Sequence, residues 1–259
     1  MSQIGVTILA SGSNGNCTVI HCGEQAVMID CGISLRTLRA RLKETGLQET
    51  WIKALLITHE HTDHISGAKV MASRLGVPIY ATAKCADKLQ KVFQFNALTM
   101  ISHCADFNLA GFTIHAFPIP HDAVDPVGYV VTRESTKIGV ATDLGQTNQM
   151  THFQLRDCNT LVLESNYDIN MLAASSRPWT LKNRILGPVG HLSNADNAKF
   201  LPAVVTRNTR NLLLAHVSGD CNTYDLAMHS AQAALAELSR SDICLAHGSR
   251  EAALPTVWC

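Results

Sequence analysis

The sequence of 259 residues predicts a mixed α/β fold. Short apolar runs of strand length recur along the chain, and segments with helical spacing of apolar residues lie between them. The clearest helix follows the N-cap residue Ser34 and carries Leu35, Leu38 and Leu42 on one face. No internal repeat or low-complexity linker divides the chain, so we expect one domain over residues 1–259.

Strands dominate the prediction, and several of them end in a histidine or a carboxylate. We predict strands at 5–10, 17–22, 26–29, 54–57, 78–80, 112–117, 127–132, 138–141, 161–163, 211–215 and 243–246. Predicted helices cover 35–45, 65–75, 82–91 and 222–238, and a further helix begins after 193–194.

The composition excludes several classes of protein. The formal net charge is zero, so any attraction to nucleic acid or membrane has to be local. No apolar run is long enough to span a bilayer, and the first residues do not resemble a signal peptide. The 9 cysteines include no C-x-x-C pair, which argues against a disulfide framework. We therefore expect a cytoplasmic protein without membrane contact.

The most informative stretch is residues 58–64 (T-H-E-H-T-D-H), which directly follows the apolar strand at 54–57. Imidazole and carboxylate groups are the usual ligands of zinc and similar divalent ions. His59 and His61 project to the same side of an extended loop, so they can bind one ion. Asp63 and His64, at the turn into a helix, can bind a second ion beside it. The alternative, a loop that is merely rich in histidine, is disfavoured by this density of ligands.

Three further potential ligands each follow a predicted strand. His121 comes after a proline-rich turn, Asp143 after the strand at 138–141, and His216 after the strand at 211–215. Loops at one rim of a rigid sheet commonly carry the chemistry of a protein. A single histidine at a strand end is more often structural than a ligand, but the 58–64 stretch requires partners.

The H-x-H-x-D-H stretch resembles the metal-binding signature of the metallo-β-lactamase superfamily. The resemblance implies a four-layer αββα fold, in which two mixed β-sheets pack face to face with helices outside. It also implies two divalent ions per chain; zinc suits the histidines best, and manganese or iron also accept mixed nitrogen and oxygen ligands. The implied ligands are His59, His61, Asp63, His64, His121, Asp143 and His216, with Asp143 bridging the two ions.

Such a pair of ions predicts hydrolysis. Two divalent ions roughly 3.5–4 Å apart share a water and lower its pKa toward about 7, which produces a metal-bridging hydroxide at neutral pH. Asp63 can orient this nucleophile. Phosphodiesters suit the site because in-line displacement needs a clamp on both the attacking and the leaving oxygen.

The segment 187–194 indicates a branch of the superfamily. Ser193 and Asn194 are N-cap residue types, so we expect the amides of the following helix to face a substrate phosphate. His191 would then stand beside the leaving group as a general acid; the alternative is a plain helix cap with a buried histidine. The order of Glu164, Gly-His-Leu-Ser and His216 is similar to that of the transfer-RNA 3′-processing endonucleases, which implies that Glu164 and His191 form a catalytic pair.

Motifs across nearly the whole chain look like those of the YycJ/WalJ-like family. They lie at 11–16, 58–64, 164–168, 181–185, 190–194 and 215–218. The resemblance implies a metal-dependent nuclease, with 5′→3′ DNA exonuclease activity, and places Asn166 among the substrate contacts. Two positions depart from the family pattern: Tyr167 stands where we expect histidine, and Cys221 where we expect asparagine. These departures concern substrate contacts and not the metal ligands.

A nuclease needs positive charge near its cleft. Arg177, Lys182 and Arg184 lie between Glu164 and His191, so they either line the approach of the substrate or form a solvated face. A second basic cluster is more typical of a solvated face; its members are Arg36, Arg39, Arg41 and Lys43. The expected partner is DNA, with RNA as the alternative, bound without sequence preference.

Two other functions stay open. A small-ester hydrolase, such as a thiolesterase or lactonase, would use the same metals on a carbonyl, although the sequence shows no lipophilic or glutathione pocket. A non-enzymatic regulatory module would keep the fold for partner binding, but a complete ligand set argues against it.

Overall fold

The structure, a computed structural model, describes residues 3–95, 98–103 and 105–259. Its strands are β1 (Ile4–Ala10), β2 (Cys17–Cys22), β3 (Gln25–Ile29), β4 (Ile52–Leu56), β5 (Ile79–Thr82), β6 (Leu98–Ile101), β7 (Phe107–Leu109), β8 (Phe112–Pro118), β9 (Val127–Arg133), β10 (Thr136–Ala141), β11 (Thr160–Glu164), β12 (Asn211–Ala215), β13 (Cys244–His247) and β14 (Val257–Trp258). Its α-helices are α1 (Leu35–Thr45), α2 (Thr62–Ile65), α3 (Ala68–Leu75), α4 (Ala83–Phe93), α5 (Gln149–Leu155), α6 (Ile169–Ala174), α7 (Trp179–Leu186), α8 (Asn194–Val204) and α9 (Tyr224–Glu237).

The strands form two sheets of seven. The first has the order β14-β1-β2-β3-β4-β5-β6, and the second has the order β13-β12-β11-β10-β9-β8-β7. Strands β3 to β6 run parallel in the first sheet, and β10 to β13 run parallel in the second. The other described pairs are antiparallel, so both sheets are mixed, as expected.

Alternation of side chains along the strands builds three apolar layers. Leu56 and Val162 pack between the two sheets. Their neighbours face outward: Leu55 packs against residues of α1, α3 and α4, and Leu161 packs against residues of α8 and α9. This order of helix, sheet, sheet and helix confirms the predicted αββα fold.

Parallel pairing places the carboxyl ends of neighbouring strands at one rim. Ile29 at the end of β3 lies beside Leu56 at the end of β4. Likewise, Glu164 at the end of β11 lies beside Ala215 at the end of β12. The polar residues at and after these positions therefore emerge side by side, which is what a site shared between loops requires.

The predicted helix at 65–75 is interrupted. Two short helices, α2 and α3, replace it, and Gly67 lies between them. Gly67 N donates to Cys31 O over 2.9 Å, and a Cβ at residue 67 would lie 1.8 Å from Ile33 O. The prediction of one continuous helix was wrong because the glycine brings this segment against the loop after β3.

Several short elements were absent from the prediction: β6, β7, β14, α5, α6 and α7. Strands β6 and β7 are only partly buried, so their side chains show no clear alternation. The start of helix α5 could have been predicted from the sequence, because Asn148 and Thr151 form a capping box. Within the described ranges, no helix has both the length and the apolar character needed to cross a bilayer.

A close backbone contact fixes the start of α2. Gly32 N donates to Asn16 O over 2.9 Å, and Asn16 N donates to Asp63 O over 2.8 Å. A Cβ at residue 32 would lie 1.6 Å from Asp63 O. Only glycine permits this approach, so the position of the Asp63 backbone depends on Gly32.

We expect Gly32→Ala to destabilise the protein by about 3 kcal/mol or more, since a well-packed contact must open. We also expect the variant to bind less divalent metal, because Asp63 must move. Urea unfolding and metal analysis of the purified protein measure the two effects.

Gly46→Ala is the matched control. Gly46 caps α1 at φ 74°, and nothing lies within 4 Å of a Cβ built there. Its replacement should cost about 1 kcal/mol of conformational strain and leave metal binding intact. Wild-type stability and metal content in Gly32→Ala would contradict the close-approach account.

Candidate metal centre

Imidazole and carboxylate groups from both sheets meet at the rim where the parallel strands end. One part comes from the loop after β4 and from α2, and the rest comes from the loops after β8, β10 and β12. The residues brought together are His59, His61, Asp63, His64, His121, Asp143 and His216. All seven ligands expected from the sequence therefore lie in one place.

Three histidines form the first group. His59 Nε2 lies 3.1 Å from His61 Nδ1, and His121 Nε2 lies 3.3 Å from the same atom. All three nitrogens face one another, which is the arrangement expected around a single cation.

The second group stands beside the first. His64 Nε2 lies 3.4 Å and His216 Nε2 lies 3.2 Å from Asp63 Oδ2. Asp143 lies between the groups: its Oδ2 is 3.2 Å from His64 Nε2, and its Oδ1 is 3.7 Å from His121 Nε2. A carboxylate in this position can contact a cation in either group.

Polar contacts on the outer side of the centre orient the imidazole rings. Four of them use Nδ1 to contact an oxygen outside the centre, which leaves Nε2 directed inward as the free ligand atom. The four pairs are His59 with Thr58 Oγ1 at 3.0 Å, His64 with Asp30 Oδ2 at 2.7 Å, His121 with Gly190 O at 3.0 Å, and His216 with Glu164 Oε1 at 2.7 Å.

Two supporting residues had not been singled out from the sequence. Asp30 is buried; Thr58 N donates to its Oδ1 and Thr58 Oγ1 to its Oδ2. Asn16 Nδ2 donates to Asp63 Oδ2 over 3.2 Å and lies 3.1 Å from His64 Nε2. A signal was present for both, because Asp30 directly follows a predicted strand and Asn16 belongs to the 11–16 motif.

Glu164 joins the metal centre to His191. Its carboxylate is fully buried, and Oε1 lies 2.9 Å from His191 Nδ1 and 2.7 Å from His216 Nδ1. Its Oε2 accepts hydrogen bonds from Leu144 N and Leu192 N. Burial acts to raise the pKa of Glu164, but His191 and His216 outweigh it and lower the pKa. The structure thus brings together the pair expected from the sequence.

Attraction to the neighbouring imidazoles keeps the carboxylates of the centre ionised. Burial acts to raise the pKa of Asp63 and Asp143, but the neighbouring imidazoles of His64 and His216 hold both well below their ordinary values. Conversely, burial acts to lower the pKa of His64 and His216, but Asp143 and the other carboxylates raise it. Burial lowers the pKa of His59. Charged carboxylates are the form that binds a metal ion.

Three residues of the site adopt the left-handed backbone conformation, which is rare for residues with a side chain. Their φ angles are 58° at Asp30, 60° at Asp143 and 56° at His216. Each such residue costs on the order of 1–3 kcal/mol and is typical of functional sites. Nothing in the sequence pattern indicated this conformation.

The donor set fits divalent metal ions. Asp143 Oδ2 is buried and has no hydrogen-bond partner among the described residues, although His64 Nε2 is close to it. A buried carboxylate oxygen without a partner is costly unless a cation meets it. Together with the inward-facing imidazole nitrogens, this orphaned oxygen indicates a site for divalent metal.

The centre opens onto a cleft of about 390 Å³. Asp63 and His191 lie in its wall, together with Lys88, Phe93 and Arg184. The His191 side chain is 21% exposed, so it can meet a substrate bound in the cleft.

The predicted phosphate site at the start of α8 is not open. Ser193 is the N-cap as expected, but its Oγ accepts from Asp196 N and donates to Asp196 Oδ2. Asn194 N donates to Tyr167 O, and the Asn194 side chain is paired with Ser165 and Asn222. Both residues are buried, so the helix start is closed by the chain's own groups, and this corrects the expectation that Ser193 and Asn194 face a phosphate.

Some of the basic residues have roles that differ from those predicted. Lys182 is buried, and its Nζ donates to Ala173 O and Ser175 O, each over 2.7 Å, so it caps the end of α6 instead of lining the cleft. Arg184 lies in the cleft wall, as expected. In the second cluster, Arg41 is buried and donates to Leu9 O, so that cluster is not wholly a solvated face.

The two departures from the family pattern, Tyr167 and Cys221, pack together in one small apolar cluster with Leu172 and Ile185. The neighbouring residue Asn166 is buried beside the centre, and its Nδ2 donates to His216 O over 2.8 Å. Burial raises the pKa of Tyr167 to about 12, so it stays neutral. An apolar pair thus stands where the family pattern led us to expect two polar residues.

The fold and the centre define a metal-dependent hydrolase of the metallo-β-lactamase superfamily. Residues 25–217 match the family described as the Beta-lactamase superfamily domain. The metallo-β-lactamase fold protein YhfI of Bacillus subtilis has a similar crystal structure, with a TM-score of 0.73 over 98% of this chain and 99% of that chain. At 15% identity, this likeness shows the fold alone.

Sequence similarity identifies a smaller family within the superfamily. The Exodeoxyribonuclease YycJ of Bacillus anthracis is 33% identical over 235 residues, which cover 89% of each chain. The Exodeoxyribonuclease WalJ of Streptococcus pneumoniae serotype 2 is 30% identical over 234 residues, which cover 88% of this chain and 87% of that one. The chain belongs to the YycJ/WalJ family of the superfamily, as its motifs had indicated.

We expect Asp30→Asn to weaken divalent metal binding about 10- to 100-fold, because His64 loses the carboxylate that orients its ring. Competition with a chromophoric chelator, using zinc or manganese, measures the affinity. Asp106→Asn is the matched control, since Asp106 also holds a histidine Nδ1 at 2.7 Å but is exposed and remote from the rim. Equal affinities of the two variants would contradict the orienting role of Asp30.

Proposed function

We propose that this protein is a metal-dependent exonuclease that degrades DNA from the 5′ end. The observation that carries the proposal is the position of His191, which lies in the cleft wall beside the metal centre with Nδ1 on the Glu164 carboxylate. An imidazole held in this way can protonate the oxygen that leaves when a phosphodiester is cleaved. The names of the relatives support DNA as the substrate, with RNA as the alternative. The direction of cleavage rests on the family resemblance.

The seven ligands suit two divalent ions. His59, His61 and His121 would hold one ion, and Asp63, His64 and His216 the other, with Asp143 shared. Zinc is the first choice for so many imidazoles, and manganese or iron also suit the mixed donors. When bound, such ions supply an activated water and a clamp on the phosphate oxygens.

Four side chains of the protein supply the other catalytic and binding roles. Asp63 faces the cleft with a carboxylate that stays ionised, so it can orient the attacking water. His191 donates a proton to the leaving oxygen. Glu164 acts as a positioning residue, because it holds His191 and His216 in one fixed relation. Arg184 in the cleft wall contributes positive charge toward the phosphates.

We propose further that residues 1–259 act as one domain in the cytoplasm. The ligands come from both sheets, so neither sheet alone can form the centre. The described cysteines are all free thiols, and six of the eight are buried, which is typical of a reducing compartment.

We expect the protein to release nucleotides from 5′-labelled duplex DNA with manganese or zinc, and Asp63→Ala to abolish the release. The reason is that the substitution removes both a ligand and the group that orients water. Asp242→Ala, at an exposed carboxylate that is paired with Arg240, is the control and should retain activity. Full activity of Asp63→Ala would refute the mechanism.

Parallel assays of bis-p-nitrophenyl phosphate, a thioester and a lactone test the reaction class. We expect turnover of the phosphodiester and little turnover of the two carbonyl esters. Turnover of a carbonyl ester alone would instead support the small-ester hydrolase.

We expect His191→Ala to lower kcat for DNA cleavage about 10²- to 10⁴-fold while metal content is unchanged, because a general acid is lost. His229→Ala, on the exposed side of α9, is the control. His191 Nδ1 also lies 3.6 Å from Asp143 Oδ1, so metal analysis is essential. Loss of metal in His191→Ala would make His191 a ligand and the general-acid role wrong.

A further inference from the structure

A groove beside helix α4, here termed the α4 groove, adjoins the metal cleft. Its volume is about 590 Å³, against about 390 Å³ for the cleft. Lys88 lies in the walls of both, so it marks the place where the cleft opens into the groove. The other described residues of the groove wall are Ala83, Lys84, Asp87, Lys91, Val92 and Val124.

The walls of the cleft come from both sides of the molecule. Lys88 and Phe93 belong to α4, whose buried residues pack on the first sheet. His191 belongs to the loop before α8 and contacts Glu164 of the second sheet. The α4 groove therefore leaves the cleft on the side of the first sheet, whereas the proposed general acid lies on the side of the second.

Lys88 is tied to the metal-binding loop. Its Nζ donates to Glu60 Oε1 over 2.8 Å, and Glu60 stands between the ligands His59 and His61 in the chain. The Glu60 carboxylate is buried and also accepts a hydrogen bond from Val124 N over 3.0 Å. The Lys88 side chain is 39% exposed, and an ammonium group has three N–H donors, so it keeps donors for a ligand. One buried carboxylate thus fixes the ammonium group beside the metal centre.

The lysines of the groove lie on one face of α4. Lys84, Lys88 and Lys91 are four and three positions apart, which is the spacing of neighbours on a helix surface. Lys88 is paired with Glu60 and Lys91 with Asp87, whereas Lys84 has no partner among the described residues. Three ammonium groups against two carboxylates leave one positive charge. The pair of Lys91 and Asp87 is exposed, and such a pair contributes only about 0–1 kcal/mol, so a phosphate can compete for Lys91.

The groove also presents apolar surface. Val92 is 62% exposed and Val124 is 42% exposed, and both lie in its wall. Phe93, at the end of α4, adds a partly exposed aromatic ring in the wall of the cleft. Grooves that bind a nucleic-acid strand combine positive groups for the phosphates with aromatic and apolar surface for the bases and sugars. This composition, together with the continuity with the cleft, favours DNA over an acidic peptide as the ligand.

We propose that the α4 groove binds the part of the DNA strand that remains after each cleavage, with Lys84, Lys88 and Lys91 as its phosphate contacts. The inference rests on the proposed nuclease function. In that reaction a water oxygen bonds to phosphorus, the bond from phosphorus to O3′ breaks, and O3′ takes a proton from His191. The leaving nucleotide therefore lies on the His191 side, and the remaining strand, which keeps the phosphate, extends along α4.

The test measures how strongly the binding of DNA depends on salt. The probe is a fluorescent duplex whose 5′-terminal linkages are phosphorothioates, which slow cleavage, and the protein is loaded with zinc. Each contact between a lysine and a phosphate adds about 0.9 to the slope of log K against log salt concentration. In Lys84→Gln/Lys91→Gln we therefore expect a slope that is shallower by about two, and an affinity at low salt that is at least about tenfold lower. Lys88→Gln should also weaken binding, whereas Lys88→Arg, which keeps the charge, should retain it.

Lys199→Gln is the matched control. Lys199 is exposed and paired with an aspartate of its own helix, as Lys91 is, but it lies in the described wall of neither the cleft nor the groove. Its slope and affinity should equal those of the wild type. If the double variant does not fold, Lys84→Gln decides, because Lys84 is exposed and its loss breaks no contact between described residues. An unchanged slope in Lys84→Gln would then overturn the proposal.

The outcomes separate this inference from the proposed function. Wild-type slope and affinity in the double variant, in a protein that cleaves DNA, overturn the assignment of the groove and leave the nuclease function standing. Loss of binding to a polyglutamate peptide without loss of DNA binding also overturns it and assigns the groove to an acidic protein segment. A shallower slope in a protein that cleaves no DNA with manganese or zinc rejects the nuclease function, and with it the role of the groove in cleavage.

Discussion

The site depends on one constraint, which is that parallel strands of both sheets end at the same rim and in register. The pairing of β3 with β4 sets Asp30 beside the loop that carries His59, and the pairing of β11 with β12 sets Glu164 beside His216. Asp30 and Thr58, 28 positions apart, and Glu164 and His216, 52 positions apart, are thereby hydrogen-bonded. A slip of one residue in either sheet would turn the inward side chains outward and separate the ligands.

This convergence of polar groups is costly for the fold. Buried carboxylates and imidazoles are packed within a few ångströms, and three residues keep a left-handed backbone. Contacts around the centre oppose these costs: Asp30 accepts hydrogen bonds from both the backbone and the hydroxyl of Thr58, and Gly32 lets the Asp63 backbone pack closely. The chain's own contacts thus hold these groups in place, and a bound cation would offset the repulsion between like groups.

Glu164 connects the metal centre with the chemistry next to it. A single buried oxygen contacts both His216 and His191, so any shift of a proposed ligand would move the proposed general acid as well. Beyond His191 lies a second, smaller cavity whose wall includes Arg177 and Arg184, each paired with an aspartate. The apolar pair of Tyr167 and Cys221 lies in a cluster with Leu172 and Ile185, and Ile185 also lines the small cavity. The departures from the family pattern therefore adjoin the region where substrate contacts are proposed.

The sequence by itself determined the mixed α/β class, most of the strands and the identity of the seven groups that converge. It could do so because local spacing controls these features: apolar runs mark strands, and H-x-H-x-D-H places its side chains within one short loop. The resemblance added the order of the layers. Tertiary structure alone decided how the remaining groups are used. Lys182 was predicted to contact the substrate, but it caps a helix. Ser193 and Asn194 were predicted to form a phosphate site, but they are hydrogen-bonded within the chain. Asp30 was predicted only as the end of a strand, but it orients His64. A polar side chain takes whichever partner the fold brings nearest, and nearness between distant segments is a property of packing that no local pattern records.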